Sequence, residues 1–251
     1  MKAVVLARGR GQRMRAGDPH ATLTPAQDAA AREGWKALMP VAGGRFLDFL
    51  LSALADAACL EIALVIGSEQ RPAFKDYVAS LGRSRTMVDL VEQSAPLGTA
   101  HAVWSARSWI GDDPFLVMNG DNLYPADALR GLVELTGPGL AVFERERLIA
   151  SSNIPAERIA AFAGVTLDAD GYLASIVEKP AGTATPPALV SMNAWRFDRG
   201  VLDACSGVPR SPRGEHELPD AVALAMARGA RLKAVAASGA VLDLSHQRDV
   251  A

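Results

Sequence analysis

Five short stretches of this chain hold the residue types that chemistry requires. Gly9-Arg10-Gly11-Gln12-Arg13 follows directly on the apolar run Ala3-Val4-Val5-Leu6-Ala7. Lys36 opens Lys36-Ala37-Leu38-Met39-Pro40-Val41, and Asp121 sits in Gly120-Asp121-Asn122. Glu178-Lys179-Pro180 comes later, and Asp243 stands among Val241, Leu242 and Leu244 near the end. A β-branched run that opens into a glycine-rich turn reads as a strand delivering a phosphate-binding loop. Glycine lets backbone N–H groups approach phosphate oxygens, and an arginine adds a fixed fork of donors. A G-x-G turn is a weak signal alone; the ordered company of the other stretches strengthens it. A glycine loop with Arg13, Lys36 and Asp121 suits a nucleotide accompanied by Mg²⁺, an ion that takes one or two carboxylates plus phosphate oxygens. Asp243 is the best second carboxylate, because an acid in an apolar strand is costly unless paired or bound to a metal. The competing reading makes Asp243 a strand-end cap for a helix following at Ser245.

These side chains need elements to hold them. Strand-like runs alternate with helical patterns through the first two-thirds, which argues for an α/β fold with a Rossmann-like, doubly wound, mixed but mostly parallel sheet. Phe46, Leu47, Leu50, Leu51, Leu54 and Ala58 fall at helical spacing and mark the first crossover helix. Glu61 to Gly67 reads as a second strand, Pro72 to Leu81 as a helix, Thr99 to Trp109 as one continuous helix, and Pro114 to Asn119 as a central strand. Gly120-Asp121-Asn122 then lies at a strand's carboxyl end, where open α/β sheets place ligands. Leu140 to Glu144 is a further strand. From Ile159 the pattern changes. Phe162 to Leu167 and Tyr172 to Val177 form a hairpin around Asp170-Gly171, Leu189 to Phe197 is a strand, and Leu218 to Arg228 a helix. Arg231 to Ala236 and Val241 to Leu244 are the last strands. The chain divides into a nucleotide-binding half, about 1–144, and a smaller β-rich sugar-binding lobe, about 159–251, within one domain.

Taken together, the motifs resemble the sugar-1-phosphate nucleotidyltransferases, the family of glucose-1-phosphate uridylyl- and thymidylyltransferases, over essentially the whole chain. Leu6-Ala7-Arg8-Gly9-Arg10-Gly11-Gln12-Arg13-Met14 and Trp35-Lys36-Ala37-Leu38-Met39-Pro40-Val41 are similar to its two N-terminal signatures. The resemblance implies a glycosyltransferase-A-like nucleotidyltransferase fold, Mg²⁺ as cofactor, and transfer of a nucleotidyl group from a nucleoside triphosphate to a sugar 1-phosphate. Leu6, Ala7, Gly9, Gly11 and Arg13 would hold the triphosphate and leaving pyrophosphate, and Lys36 the phosphates at the reacting centre. Gln93 and Gly98, in Gln93-Ser94-Ala95-Pro96-Leu97-Gly98-Thr99-Ala100, match the base-reading loop. Thr99 joins them, or serves as a plain helix cap. Asp121 and Asp243 match the metal-binding aspartates. Asn119, Gly120, Glu178, Lys179 and Asn193 would meet the sugar phosphate, with Arg13, Lys36, Asp121 and Lys179 catalytic; Glu178-Lys179 also reads as a surface pair before a proline turn.

The chain departs from the pattern in four places. Arg8 replaces a small residue inside the phosphate loop, where a bulky cation adds a phosphate contact or blocks the nucleotide. Gln12 replaces threonine, Trp35 replaces proline, and the interval from Arg13 to Lys36 carries a lid-like insertion over Gly17 to Gly34. Arg8 is also the feature that favours a rival reading, a catalytically inactive regulatory or nucleotide-sugar-binding subunit of the same fold. A glycosyltransferase ranks lower: the Asp168 and Asp170 pair sits in a hairpin turn instead of after a strand.

Composition excludes other classes. The 251 residues are 49% apolar, enough for a sizeable core, and the net charge of −2 leaves no footprint for nucleic acid. No run reaches the roughly 18 apolar residues of a membrane span, and the N-terminal apolar run is too short for a signal peptide, so a cytoplasmic protein is expected. Cys59 and Cys205 lack metal spacing and read as buried, reduced thiols. No fused acyltransferase repeats are expected, and a homo-oligomer is compatible with the family.

Overall fold

The computed structural model describes residues 1–9, 11–177 and 187–250. Its strands are β1 (Lys2–Leu6), β2 (Pro40–Val41), β3 (Gly44–Arg45), β4 (Glu61–Ile66), β5 (Met87–Glu92), β6 (Phe115–Asn119), β7 (Asn122–Leu123), β8 (Gly139–Glu144), β9 (Ala163–Leu167), β10 (Leu173–Val177), β11 (Leu189–Phe197), β12 (Lys233–Ala237) and β13 (Leu242–Asp243). The large sheet runs β10-β9-β11-β6-β1-β4-β5, with β8 beside β11 and β12 beside β8. The stretch β6-β1-β4-β5 is wholly parallel, and Leu6 stands opposite both Asn119 and Val65. Such strands are buried on both faces, which is why Ala3-Val4-Val5 carries no polar side chain.

Alternation across β1 divides the core. Ala3 and Val5 face one layer with Leu47, Leu50 and Leu54 of the helix Phe46–Asp56 and Phe74 and Tyr77 of the helix Arg71–Ser80. Val4 faces the other with Val103 of the helix Thr99–Ser105, Leu202 of Arg199–Gly207 and Val222 of Leu218–Ala227. Helices therefore cover both faces of the sheet, as the sequence predicted. Cys59 and Cys205 are free and buried, and burial pushes their thiols up to about 11 and about 12. Among the described residues, no helix is long and apolar enough to cross a membrane.

Several boundaries differ from expectation. The helix expected over Thr99 to Trp109 is broken at Ala106, giving Thr99–Ser105 and Arg107–Ile110. β5 escaped detection because it is an edge strand with an exposed Met87, so no continuous apolar run marks it. The insertion is a packed element, not a lid. Thr24 caps the helix Pro25–Glu33 through a reciprocal pair with Gln27, and Ala31 from that helix joins Met14, Met39, Phe46 and Leu244 in a third small core.

Candidate active site

The two loop glycines have different physical roles. A Cβ on Gly9 would meet nothing within 4 Å, so that position borders open space. Gly11 has φ of 59° and caps the short helix Gln12–Arg15, and a Cβ there would strike the backbone of Gly34. Gly11 is thus set by close approach of backbone to backbone, and it is not among the residues lining the cavity beside Gly9. Leu6, Ala7, Arg8 and Gly9 form one wall of a cavity of about 290 Å³, whose other walls are the strand end Asn119-Gly120-Asp121 and the turn holding Gln93, Gly98 and Thr99.

That turn is tightly specified. Gly98 adopts φ of 99°, and any Cβ would overlap the backbone of His216. The amide Nε2 of Gln93 donates to Gly98 O at 3.0 Å and lies 3.0 Å from His101 Nδ1. Burial, with His216 nearby, lowers the pKa of His101 and favours its neutral ring. The Thr99 hydroxyl accepts from the Leu218 backbone N–H at 2.9 Å, so it caps a neighbouring helix while its residue borders the cavity. Arg8 does not plug the space: its Nη1 donates to Gln93 O at 2.5 Å, along the wall.

Asp121, in the turn between β6 and β7, comes beside Asp243 because β7 and β13 pair. β6 ends at Asn119, and Gly120 N donates to Leu6 O at 2.9 Å, an approach too close for a larger residue to enter without movement. β7 then pairs antiparallel with β13, placing Asp243 opposite Asn122, and Leu244 N donates to Asp121 O at 2.9 Å. Lys36, on a single 3₁₀ turn anchored by buried Ala37 and Leu38, donates to Asp121 Oδ2 at 2.9 Å. Asp243 is only 6% exposed. Its Oδ1 accepts from Asn122 Nδ2 at 2.9 Å, whereas its buried Oδ2 has no hydrogen-bond partner and stands 3.1 Å from the Arg158 guanidinium. Burial raises the Asp243 carboxyl above the ordinary range, Asp121 raises it further, and Arg158 opposes both. Two acids on neighbouring rungs with an unsatisfied buried oxygen are a donor set that fits a divalent cation.

Lys36, Asn119 and Asp121 also border a second cavity of about 570 Å³, with Arg13, Asn193 and Asp243 among its other walls. Arg13 therefore faces this cavity and not the one beside the glycine loop. Asn193 reaches it through a distortion. β11 shifts register between Ser191 and Trp195, and Asn193 sits there with φ of 58°, a left-handed conformation that asparagine tolerates. Glu178 and Lys179 lie outside the described residues. Arg158 was not anticipated. It stands on the short helix Ala156–Ile159, donates to Asp249 at 3.0 Å and to His246 Nδ1 at 2.6 Å, and pairs with Asp243. Glu215, against Gly98, was also missed. A lone arginine or glutamate in a polar stretch carries no signal in the sequence.

Comparison with known proteins identifies relatives of the whole chain. Low-salt glycan biosynthesis nucleotidyltransferase Agl11 of Haloferax volcanii is 29% identical over 230 residues, 88% of this chain and 56% of that protein. Glucose-1-phosphate thymidylyltransferase of Streptomyces griseus is 28% identical over all of this chain and 64% of its own length. The chain thus spans a little over half to two-thirds of these relatives, although it covers 93% of the UTP–glucose-1-phosphate uridylyltransferase AglF of Haloferax volcanii at 26% identity. A UDP-glucose pyrophosphorylase solved with UDP-glucose superposes with a TM-score of 0.78 at 18% identity, over 99% of this chain and 95% of that one, which shows a shared fold. The sequence pattern of the nucleotidyl transferases matches residues 2–244, from the first strand to the far side of Asp243, and the chain belongs to that family.

Proposed function

We propose that this chain transfers a nucleotidyl group from a nucleoside triphosphate to a sugar 1-phosphate, releasing pyrophosphate and an NDP-sugar. The observation that carries this reading is the Lys36–Asp121 pair at the junction of two cavities, with Asp243 on the adjoining strand. The smaller cavity, bordered by residues of the 1–144 half and by Glu215, takes the nucleotide. The larger one, drawing walls from 157–246, takes the sugar phosphate, with Asn193, Glu178 and Lys179 as its polar contacts.

A sugar phosphate oxygen forms a bond to the α-phosphorus while the bond from that phosphorus to the bridging oxygen breaks. The attacking oxygen is already anionic, so no proton needs to be removed and no general base is required. Catalysis comes from alignment and charge neutralisation. Asp121 and Asp243 are the residues that would hold Mg²⁺, which when bound supplies positive charge to phosphate oxygens. Lys36 places its ammonium where the two cavities meet, Arg13 adds a guanidinium on the sugar-phosphate side, and Gly9 lets backbone reach the triphosphate. The names of the thymidylyl- and uridylyltransferase relatives support the same reaction. We place the protein in the cytoplasm, where both substrates are made, and a homo-oligomer fits this reading.

The test is pyrophosphate release with a panel of triphosphates and sugar 1-phosphates. Lys36→Ala and Asp121→Asn should remain folded and lose roughly 100-fold or more in turnover, the usual cost of removing a charge contact in a transition state. Near wild-type rates in either variant would refute the assignment. Binding of an NDP-sugar without any turnover in the wild type would instead mark a regulatory subunit.

A further inference from the structure

The transfer reaction leaves one cation of the nucleotide cavity without a task. Arg8 stands where the related signature carries a small residue, its side chain is 11% exposed, and its guanidinium is drawn along the wall to Gln93. Among the described residues the nearest carboxylate to it, Glu69, is 3.9 Å away, beyond hydrogen-bond length.

Gln93 has already committed half of its amide. Only the NH₂ end can face a carbonyl oxygen, so contact with Gly98 O fixes the orientation, and the neutral His101 ring accepts from the same nitrogen. Gln93 Oε1 has no partner among the described residues. Toward a ligand, Gln93 therefore offers an acceptor and nothing else. Arg8, hydrogen-bonded to the same residue, offers only donors.

We propose that Arg8 adds a donor beside the base contact expected of Gln93, so that the pair selects nucleobases with a lactam edge, a ring carbonyl beside a ring N–H, as in uracil, thymine and guanine. This rests on the reading of the cavity as the triphosphate site. The carbonyl accepts from Arg8 and the N–H donates to Gln93 Oε1. Cytosine and adenine present the reverse, an amino group beside a bare ring nitrogen. Arg8 would then face N–H, Oε1 would face a lone pair, and both buried groups would lose partners.

Calorimetric titration with Mg²⁺ and UTP, CTP, GTP or ATP tests this, comparing bases of equal ring size. The wild type should prefer UTP over CTP and GTP over ATP by on the order of 10- to 100-fold. In Arg8→Ala both ratios should fall to within about threefold, through weaker UTP and GTP binding. In Arg8→Lys, which keeps the charge and gives up the planar fork, they should be intermediate. If Arg8 instead served the phosphates, all four affinities would fall together with the ratios intact, and the proposal would be overturned. A wild type that binds all four alike also overturns it while leaving the transfer reaction standing. A wild type that binds none overturns both. Should Arg8→Ala fail to fold, unchanged ratios in Arg8→Lys are the refuting result.

Discussion

Gly9 and Gly11 are two residues apart in one motif, yet the structure predicts opposite consequences for the same substitution. Gly11→Ala puts a side chain on a backbone with φ of 59° and drives its Cβ into the Gly34 backbone. The left-handed conformation costs a non-glycine residue roughly 1–2 kcal/mol, and overpacking adds about 1–3 more. A loss of at least about 2 kcal/mol corresponds to roughly 4–8 °C in Tm for a chain of this size. Gly9→Ala meets no protein atom within 4 Å and no positive φ, so its stability should stay level or rise by up to about 1 kcal/mol. The added methyl instead occupies the approach of phosphate to backbone, and affinity for a nucleoside triphosphate should fall at least roughly 10-fold. Thermal denaturation with and without UTP and Mg²⁺ reads both quantities in one experiment. If Gly11→Ala melts like the wild type, or Gly9→Ala binds nucleotide as tightly as it, the division of labour drawn from the backbone geometry is wrong.

Other substitutions separate architecture from chemistry. Thr99→Val strands the Leu218 N–H and should cost about 1–3 kcal/mol in urea denaturation while nucleotide affinity, by calorimetry, changes less than about threefold. Because burial and His216 lower the folded pKa of His101, the unfolded chain takes up that proton first. Stability should be full above the ordinary histidine range and fall as pH drops below it, and the change in urea midpoint between about pH 7.5 and about pH 5 should be smaller in His101→Gln, with His246 supplying the remainder. Arg158→Met leaves Asp243 and Asp249 buried without their shared cation and should cost on the order of 3 kcal/mol, whereas Asp243→Asn leaves Arg158 with Asp249 and should cost far less by the same assay. Equal losses would refute that accounting.

The elements that the sequence announced are those whose burial is continuous. Ala3-Val4-Val5 and Leu116-Val117-Met118 are covered on both faces, and such runs admit one reading. What stayed hidden depends on partners distant in the chain. The edge strand β5 has no second neighbour to demand an apolar run. The bend of β11 at Asn193 arises where the strand leaves β9 and takes up β6, a change of partner that no local pattern records. Thr99 looked like a ligand contact or a cap for its own helix, and it caps a different one.

The acids make the same point with a consequence for function. Composition could say that Asp243 needed a partner, but its position opposite Asn122 follows only once β13 docks on β7. That docking forces two carboxylates together, and the repulsion is carried by Lys36 on one side and by Arg158, shared with Asp249, on the other. A site built only for stability would gain by losing one acid, since paired buried charges seldom outperform an apolar replacement. Their presence at the meeting of two cavities, with an Asp243 Oδ2 that makes no hydrogen bond, supports the proposal that the pair serves a cation and its phosphates more than the fold.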